Sequence, residues 1–529
     1  MKVLIVTGTK AKNIVEGHVK GIWRGVDVEV TALPVQVAAL ITPQYAAQKL
    51  GEMKPCGFDL VLLPGMVRGD VGEVAKSVGI PAFKGPKHSV DLPQLLENLG
   101  SFTLSTVKPA CELYRDLVRH RVYEELNIVK KAALTLEARG VGFTIGHGKA
   151  KTWTHGGYSP LLVAEVVDAS QLPDDAIAEK AAYYAKCGAD VIDLGMEAGG
   201  GHAEDAARAV KAAANAVSKP LSIDSNDVEE FEAAVGVGVD LVMSINLQNM
   251  EATARFASQV PAVVTPAEAD GTIPETASER VNQLEENIRK AHSLGFTQLI
   301  ADPLLSPPPT STLLDSLRGY IEFRKRTPNS SLLLGAGNIT EFADVDSVGL
   351  NFLLAHLSWE LGPSLIFTTE ASNKTRGSVK EISTALKMLT LAQRMGKPPK
   401  DLGLDLLELK EKIVKIDVLD PAEEAEIPEL SSFRGRGYTH DPKGFFKVKL
   451  NRKRKEILLF HYPRGWDKPD FKIRDQNPVS IYRAVVREGL ISQLDHAAYL
   501  GCELERANTA LLTGRSYVQD LYGPFGSED

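Results

Sequence analysis

Acidic and amide side chains recur in this chain where an apolar run gives way to a loop. Asp168 closes the run 161–168, with Glu165 inside it. The run 190–194 carries Asp193 and is followed by Glu197 and Gly199-Gly200-Gly201. Further runs end in Ser222-Ile223-Asp224-Ser225, Ser244-Ile245-Asn246, Ala301-Asp302-Pro303, Gly335-Ala336-Gly337-Asn338 and Thr368-Thr369-Glu370. One carboxylate at such a place caps the next helix and stabilises it by about 1 kcal/mol. A ring of them exceeds that need, and buried carboxylates without partners cost several kcal/mol. The ring therefore implies a ligand rich in hydrogen-bond donors.

A pterin fits that description. Its 2-amino group and ring N–H groups donate, and carboxylates with an Asn carbonyl accept. The competing occupant is magnesium or manganese, which suit clustered acids. No histidine accompanies the acids at the run ends, so zinc is disfavoured and no metal-ligand set is assigned.

Elements of regular rhythm must hold these residues. Apolar runs at 161–168, 190–194, 220–224, 240–245, 262–265, 298–301, 331–334 and 364–368 alternate with helical segments. One of these, 174–187, has Gly188 as its stop. Eight strands at this spacing predict a (β/α)8 TIM barrel, with a doubly wound sheet as the alternative. Side chains at the carboxyl ends of barrel strands converge on one mouth, which gathers the ring. Residues 1–104 alternate strands (2–6, 26–31, 60–63) with helices and predict an open α/β domain of Rossmann or flavodoxin type. Its loop chemistry sits at Thr7-Gly8-Thr9, at Pro64 to Asp70 and at Lys84-Gly85-Pro86-Lys87. A helical connector is expected over 105–145, the barrel over 146–398 and a linker over 399–428.

A small α+β domain is expected over 429–529. There 445–450 and 457–462 flank Asn451-Arg452-Lys453-Arg454-Lys455 as a hairpin, and helices follow at 480–488 and 494–512. Without aromatic interleaving, the basic turn reads as a solvated hairpin tip. His496 reads as a helix-interior residue, the alternatives being a corrinoid ligand or a general base.

Composition limits the partners. The 60 basic and 68 acidic residues give a net charge of −8, which disfavours nucleic-acid binding. The four cysteines are scattered, as in reduced intracellular proteins. No apolar run reaches the roughly 18–20 residues that cross a bilayer, and the N-terminal apolar stretch is short for a signal peptide. A cytoplasmic protein without membrane contact is expected, with a homodimer as one form.

The segments Ala189-Asp190-Val191-Ile192-Asp193-Leu194-Gly195, Ser222-Ile223-Asp224-Ser225, Ile245-Asn246 and Ala301-Asp302-Pro303 resemble, in order, the pterin-binding motifs of dihydropteroate synthase. That resemblance covers roughly residues 160–390. It implies that Asp224, Asn246 and Asp302 hold the pterin ring while Asp193 supports the pocket. Residues 166–170 would stand where that family has its flexible substrate loop. Nearly the whole chain, with Leu494 to Ala507 at its far end, resembles the archaeal dihydropteroate synthase-related family. This implies a folate- or tetrahydromethanopterin-type pterin as ligand or substrate.

Two departures divide the chemistry. The synthase's strand-seven Ser-Arg-Lys is replaced by Gly335-Ala336-Gly337-Asn338-Ile339-Thr340, and its strand-eight Arg-x-His by Thr369 to Arg376. In the synthase reading an arylamine displaces diphosphate from a pterin methylene carbon. Lys374 and Arg376 would then bind the anion, with magnesium as an optional aid. The strand-seven Asn resembles instead that of methyltetrahydrofolate–corrinoid methyltransferases. There Asn338 and Asp302 would serve catalysis by protonating or bonding N5, and a corrinoid protein would accept the methyl group. A non-catalytic pterin carrier is the third reading.

Overall fold

The computed structural model describes residues 1–21, 25–100, 102–113, 124–126, 128, 142–147, 150–154, 159–306, 312–362, 364–400, 402–410 and 440–520. Most of the connector expected at 105–145 and of the linker expected at 399–428 lies outside them. The chain forms two compact units, Met1–Lys412 and Ile413–Asp529.

The first unit begins with four parallel strands, β1 (Lys2–Gly8), β2 (Asp27–Leu33), β3 (Leu60–Leu63) and β4 (Ala82–Lys84), in the order β2-β1-β3-β4. β1 and β3 are apolar on both faces, which is what helices on either side of a parallel sheet require. Gly65 is forced by crowding, since a Cβ there would stand 2.5 Å from the Gly85 carbonyl oxygen. A buried ion pair ties this domain to the far end of the same unit: Lys397 Nζ lies 2.9 Å from Asp91 Oδ1.

An antiparallel pair, β5 (Thr144–His147) and β6 (Ala150–Trp153), leads into eight parallel strands. These are β7 (Leu161–Val166), β8 (Val191–Gly195), β9 (Leu221–Asp224), β10 (Leu241–Ile245), β11 (Ala262–Val264), β12 (Leu299–Ala301), β13 (Ser331–Gly335) and β14 (Leu365–Thr369). β14 pairs with β7, so the barrel is closed, and the doubly wound alternative is excluded. Helix Asp174–Cys187 ends at Gly188, whose φ of +110° is one that side chains rarely adopt.

The barrel interior is apolar at its amino-terminal end. Val163, Val191, Ile300 and Leu333 meet there, and Ile145 of β5 packs with them as a plug. Two residues further along each strand the inward position comes round again. Val163 is followed by Glu165, Val191 by Asp193, Ile300 by Asp302, Leu333 by Gly335 and Phe367 by Thr369. One pleat thus converts an oily core into a polar mouth.

The second unit carries an antiparallel sheet of β15 (Phe445–Asn451), β16 (Glu456–Tyr462) and β17 (Phe471–Asp475). β15 and β16 form the expected hairpin, and β17 extends it to three strands. Helices Pro478–Arg487 and Leu494–Thr513 bury Ile481, Val485, Leu500 and Leu504 against Phe446, Val448, Ile457 and Leu459. Among the described residues no helix is long and apolar enough to cross a membrane.

Candidate functional site

Pairing register builds the site. Thr369, Glu165, Asp193 and Ser222 are lateral neighbours on β14, β7, β8 and β9, and Asp224 lies one pleat above Ser222. Glu165, Asp193 and Asp224 each bring a carboxylate oxygen to within 4.8 Å of the others. Gly195 makes this possible, because a Cβ there would stand 2.1 Å from Glu165 Oε1. Asp193 is fully buried; its Oδ1 accepts a 2.6 Å bond from the Ser222 hydroxyl, and its Oδ2 has no partner among the described residues. Glu165 and Asp224 are half-buried at the mouth.

Three carboxyls this close and this dry cannot all ionise. Burial, then the Asp224 charge, pushes Glu165 up to about 8. Burial, then the same neighbour and Glu165, pushes Asp193 well above the carboxylate range. Asp224 rises to about 7 through burial and then the Asp302 charge. Among the described residues no basic side chain pairs with any of the three, so protons or a bound cation must neutralise them. The same three oxygens are the group that could hold a divalent ion.

Asp302 stands across the mouth, buried. Its Oδ1 accepts from the Tyr320 hydroxyl and from the Leu304 N–H, each at 2.9 Å. Burial raises it to about 6, against the pull of those two bonds. Leu304 reaches back by taking φ +67°, a conformation that costs a non-glycine residue free energy and tends to occur at functional sites.

The two amides are partly committed to the fold. Asn246 Oδ1 accepts from the Gln248 N–H at 2.9 Å, so the carbonyl expected to face a ligand closes a turn instead. Asn338 Nδ2 donates to the Leu305 carbonyl at 3.0 Å, leaving Oδ1 as its acceptor. Gly335 clears this amide, since a Cβ would stand 3.0 Å from Asn338 Nδ2, and Gly337 clears Thr369 Cγ2 at 3.2 Å. Neither has a positive φ.

The candidate anion site is occupied by the protein's own groups. Lys374 Nζ donates to the Ala343 carbonyl at 2.8 Å and to Asp344 Oδ1 at 3.0 Å. Arg376 is near enough to Glu370 and Tyr183 for its charge to act on both. Glu370 accepts from the Val379 N–H and caps the following helix, while Glu341 holds the loop through the Thr375 hydroxyl at 2.6 Å. The loop after β7, expected to be flexible, is pinned by Arg208, which donates to the carbonyls of Ser170 and Leu172.

Two residues at this end escaped the sequence reading. Glu165 was seen only as a residue inside a strand, though its position two after Val163 marks it as inward. His202 follows β8 by seven residues, beyond the strand ends surveyed, and lies 3.6 Å from Glu197 and 3.8 Å from Asp205. In the second unit His496 is fully buried, its Nδ1 3.3 Å from Asp441 Oδ2. Burial pushes Asp441 up, but bonds from the Ser492 hydroxyl and the N–H groups of Ser492, Lys443 and Gln493 outweigh it and hold it low.

A family profile described as pterin binding enzyme matches residues 166–346. Another of unknown function matches 2–87, and PterinBD-DUF4346 matches 440–520. An uncharacterized protein of Methanocaldococcus jannaschii is 34% identical over 534 residues, covering 98% of each chain. The chain belongs to the archaeal dihydropteroate synthase-related family. Among solved structures, the dihydropteroate synthase of Yersinia pestis is similar at 14% identity and a TM-score of 0.39, covering 48% of this chain and 100% of that one. That of Thermus thermophilus is similar at 21% identity and a TM-score of 0.37, covering 46% and 97%. Within the family assignment, Asp193, Asp224 and Asp302 come from three strands to one mouth, while Lys374 is turned to Asp344.

Proposed function

We propose that the barrel mouth binds a reduced pterin and that the enzyme transfers its one-carbon substituent. The observation that carries this reading is the acid layer of Glu165, Asp193 and Asp224, with Asp302 opposite. A pterin presents donors that carboxylates accept, and Asp302, already oriented by Tyr320 and Leu304, suits its amino-pyrimidine edge. Asn246, with its carbonyl engaged, offers its NH2 group to the ring.

Methyl transfer asks for a proton. When the N5–carbon bond breaks, its electron pair stays on N5, which leaves well only if protonated; the methyl group goes to a nucleophile supplied by the second substrate. Acids whose protons are held near neutral pH are matched to that task. The acceptor Oδ1 of Asn338 can hold the N5 proton in place. A corrinoid protein is one class of acceptor consistent with this chemistry.

The synthase reading is weaker. Departing diphosphate needs cations, yet Lys374 is engaged by Asp344, and Glu341 and Glu370 flank the same loop. Magnesium serving that diphosphate would compete with the protons of the acid layer. Competition binding separates the readings. Tighter binding of a methyl-tetrahydropterin than of a hydroxymethylpterin diphosphate supports methyl transfer, and the reverse order favours the synthase.

A further inference from the structure

The sheet of the second unit has one face covered by its two helices and, among the described residues, one open face. Register defines that open face row by row: Phe445 beside Tyr462, then Lys447-Phe460-Lys472, then Lys449-Leu458-Arg474. The middle strand therefore presents a half-buried apolar stripe of Leu458, Phe460 and Tyr462. An exposed cation stands on either side of it in two successive rows. Residues 440–475 hold eleven lysines and arginines against five acids, in a chain whose net charge is −8. Aromatic residues do interleave with the cations, but across strands, where the linear sequence hides it.

We propose that this face docks a protein partner whose contact patch is acidic around an apolar centre. An apolar stripe rimmed by charge has the anatomy of a protein interface, and charge complementarity sets its partner's sign. A single-stranded nucleic acid fits less well, because base stacking needs open ring faces. Phe445 and Tyr462 stack on each other at 4.9 Å and 7°. Lys447 sits over both rings, at 5.8 and 4.7 Å, and Lys472 lies 5.8 Å from the Phe460 centroid. Strand addition at the β15 edge is blocked as well. Gln519 accepts from the Val448 N–H and donates to the Phe446 carbonyl there.

The test is fluorescence anisotropy on the full chain. The probes are a labelled peptide of alternating Glu and Leu, its Lys/Leu counterpart and a 20-nucleotide oligouridylate. The proposal expects the Glu/Leu peptide to bind best, and at least tenfold more weakly to the Lys447→Glu/Arg474→Glu variant. Both substituted residues are exposed, so unchanged thermal melting of the variant checks its fold. Tighter binding of the oligouridylate, equal binding of the Lys/Leu peptide, or undiminished binding by the variant would overturn it.

Discussion

Ser222 and Asp193 face each other on adjacent barrel strands, hydroxyl to carboxyl at 2.6 Å, both fully buried. Ser222 is the side chain that bonds the Asp193 carboxyl, whose Oδ2 has no partner among the described residues. Ser222→Ala would strip a buried acid of its donor at a cost of about 1–3 kcal/mol. Denaturant unfolding should show that loss. A change below about 0.5 kcal/mol would mean that Asp193 finds another partner.

The acid layer makes stability depend on pH in a definite direction. Glu165, Asp224 and Asp302 have folded pKa values of about 8, 7 and 6, all above the ordinary carboxylate range near 4. The folded protein therefore holds more protons than the unfolded chain between about pH 4 and 8, and their contribution to stability falls as pH rises through that window. Glu165→Gln removes one such proton. Its melting temperature should decline less steeply from pH 5 to 8 than that of the parent; parallel curves would count against a proton-holding layer.

The Asp91–Lys397 pair is sealed from solvent on both sides. Removing one partner takes a 2.9 Å ion-pair contact from a buried charge, which costs about 3–5 kcal/mol. Lys397→Met and Asp91→Leu should each destabilise the first unit strongly, and the double substitution should recover most of the loss. If the single changes are mild, water reaches the pair.

Asn338 tests the role given to its free carbonyl. Asn338→Ala should lower turnover by about 2–4 kcal/mol in transition-state terms, the range for one preorganised group, while thermal melting stays near the parent's. Asn338→Lys should be no better, since its longer side chain intrudes where Gly335 leaves room only for the amide. Full turnover in both variants would remove Asn338 from the mechanism.

The barrel was legible because parallel strands buried on both faces read as short apolar runs, and β7 to β14 fall where those runs fall. The acids at the mouth were legible for the same reason: Asp193, Asp224 and Asp302 interrupt apolar runs. Other features depend on the third dimension. Asp344 is thirty residues from Lys374, so their pairing has no local signature. β17 reads Phe-Lys-Ile-Arg-Asp, too polar to stand out, because it lies at the edge of its sheet. The aromatic and basic residues of the open face alternate only once three strands are set in register.

Calorimetric titration of the full chain with a methyl-tetrahydropterin, in two buffers of different ionisation enthalpy, tests the central claim most directly when run beside Asp302→Asn. The substitution keeps the shape but replaces an acceptor with a donor facing the donors of the pterin edge. Saturable binding is predicted, weakened at least tenfold in the variant. Its heat should differ between buffers because binding changes the number of protons held by the acid layer, which are exchanged with the buffer. Absence of binding, or equal binding by parent and variant, would contradict the assignment of the barrel mouth to a pterin.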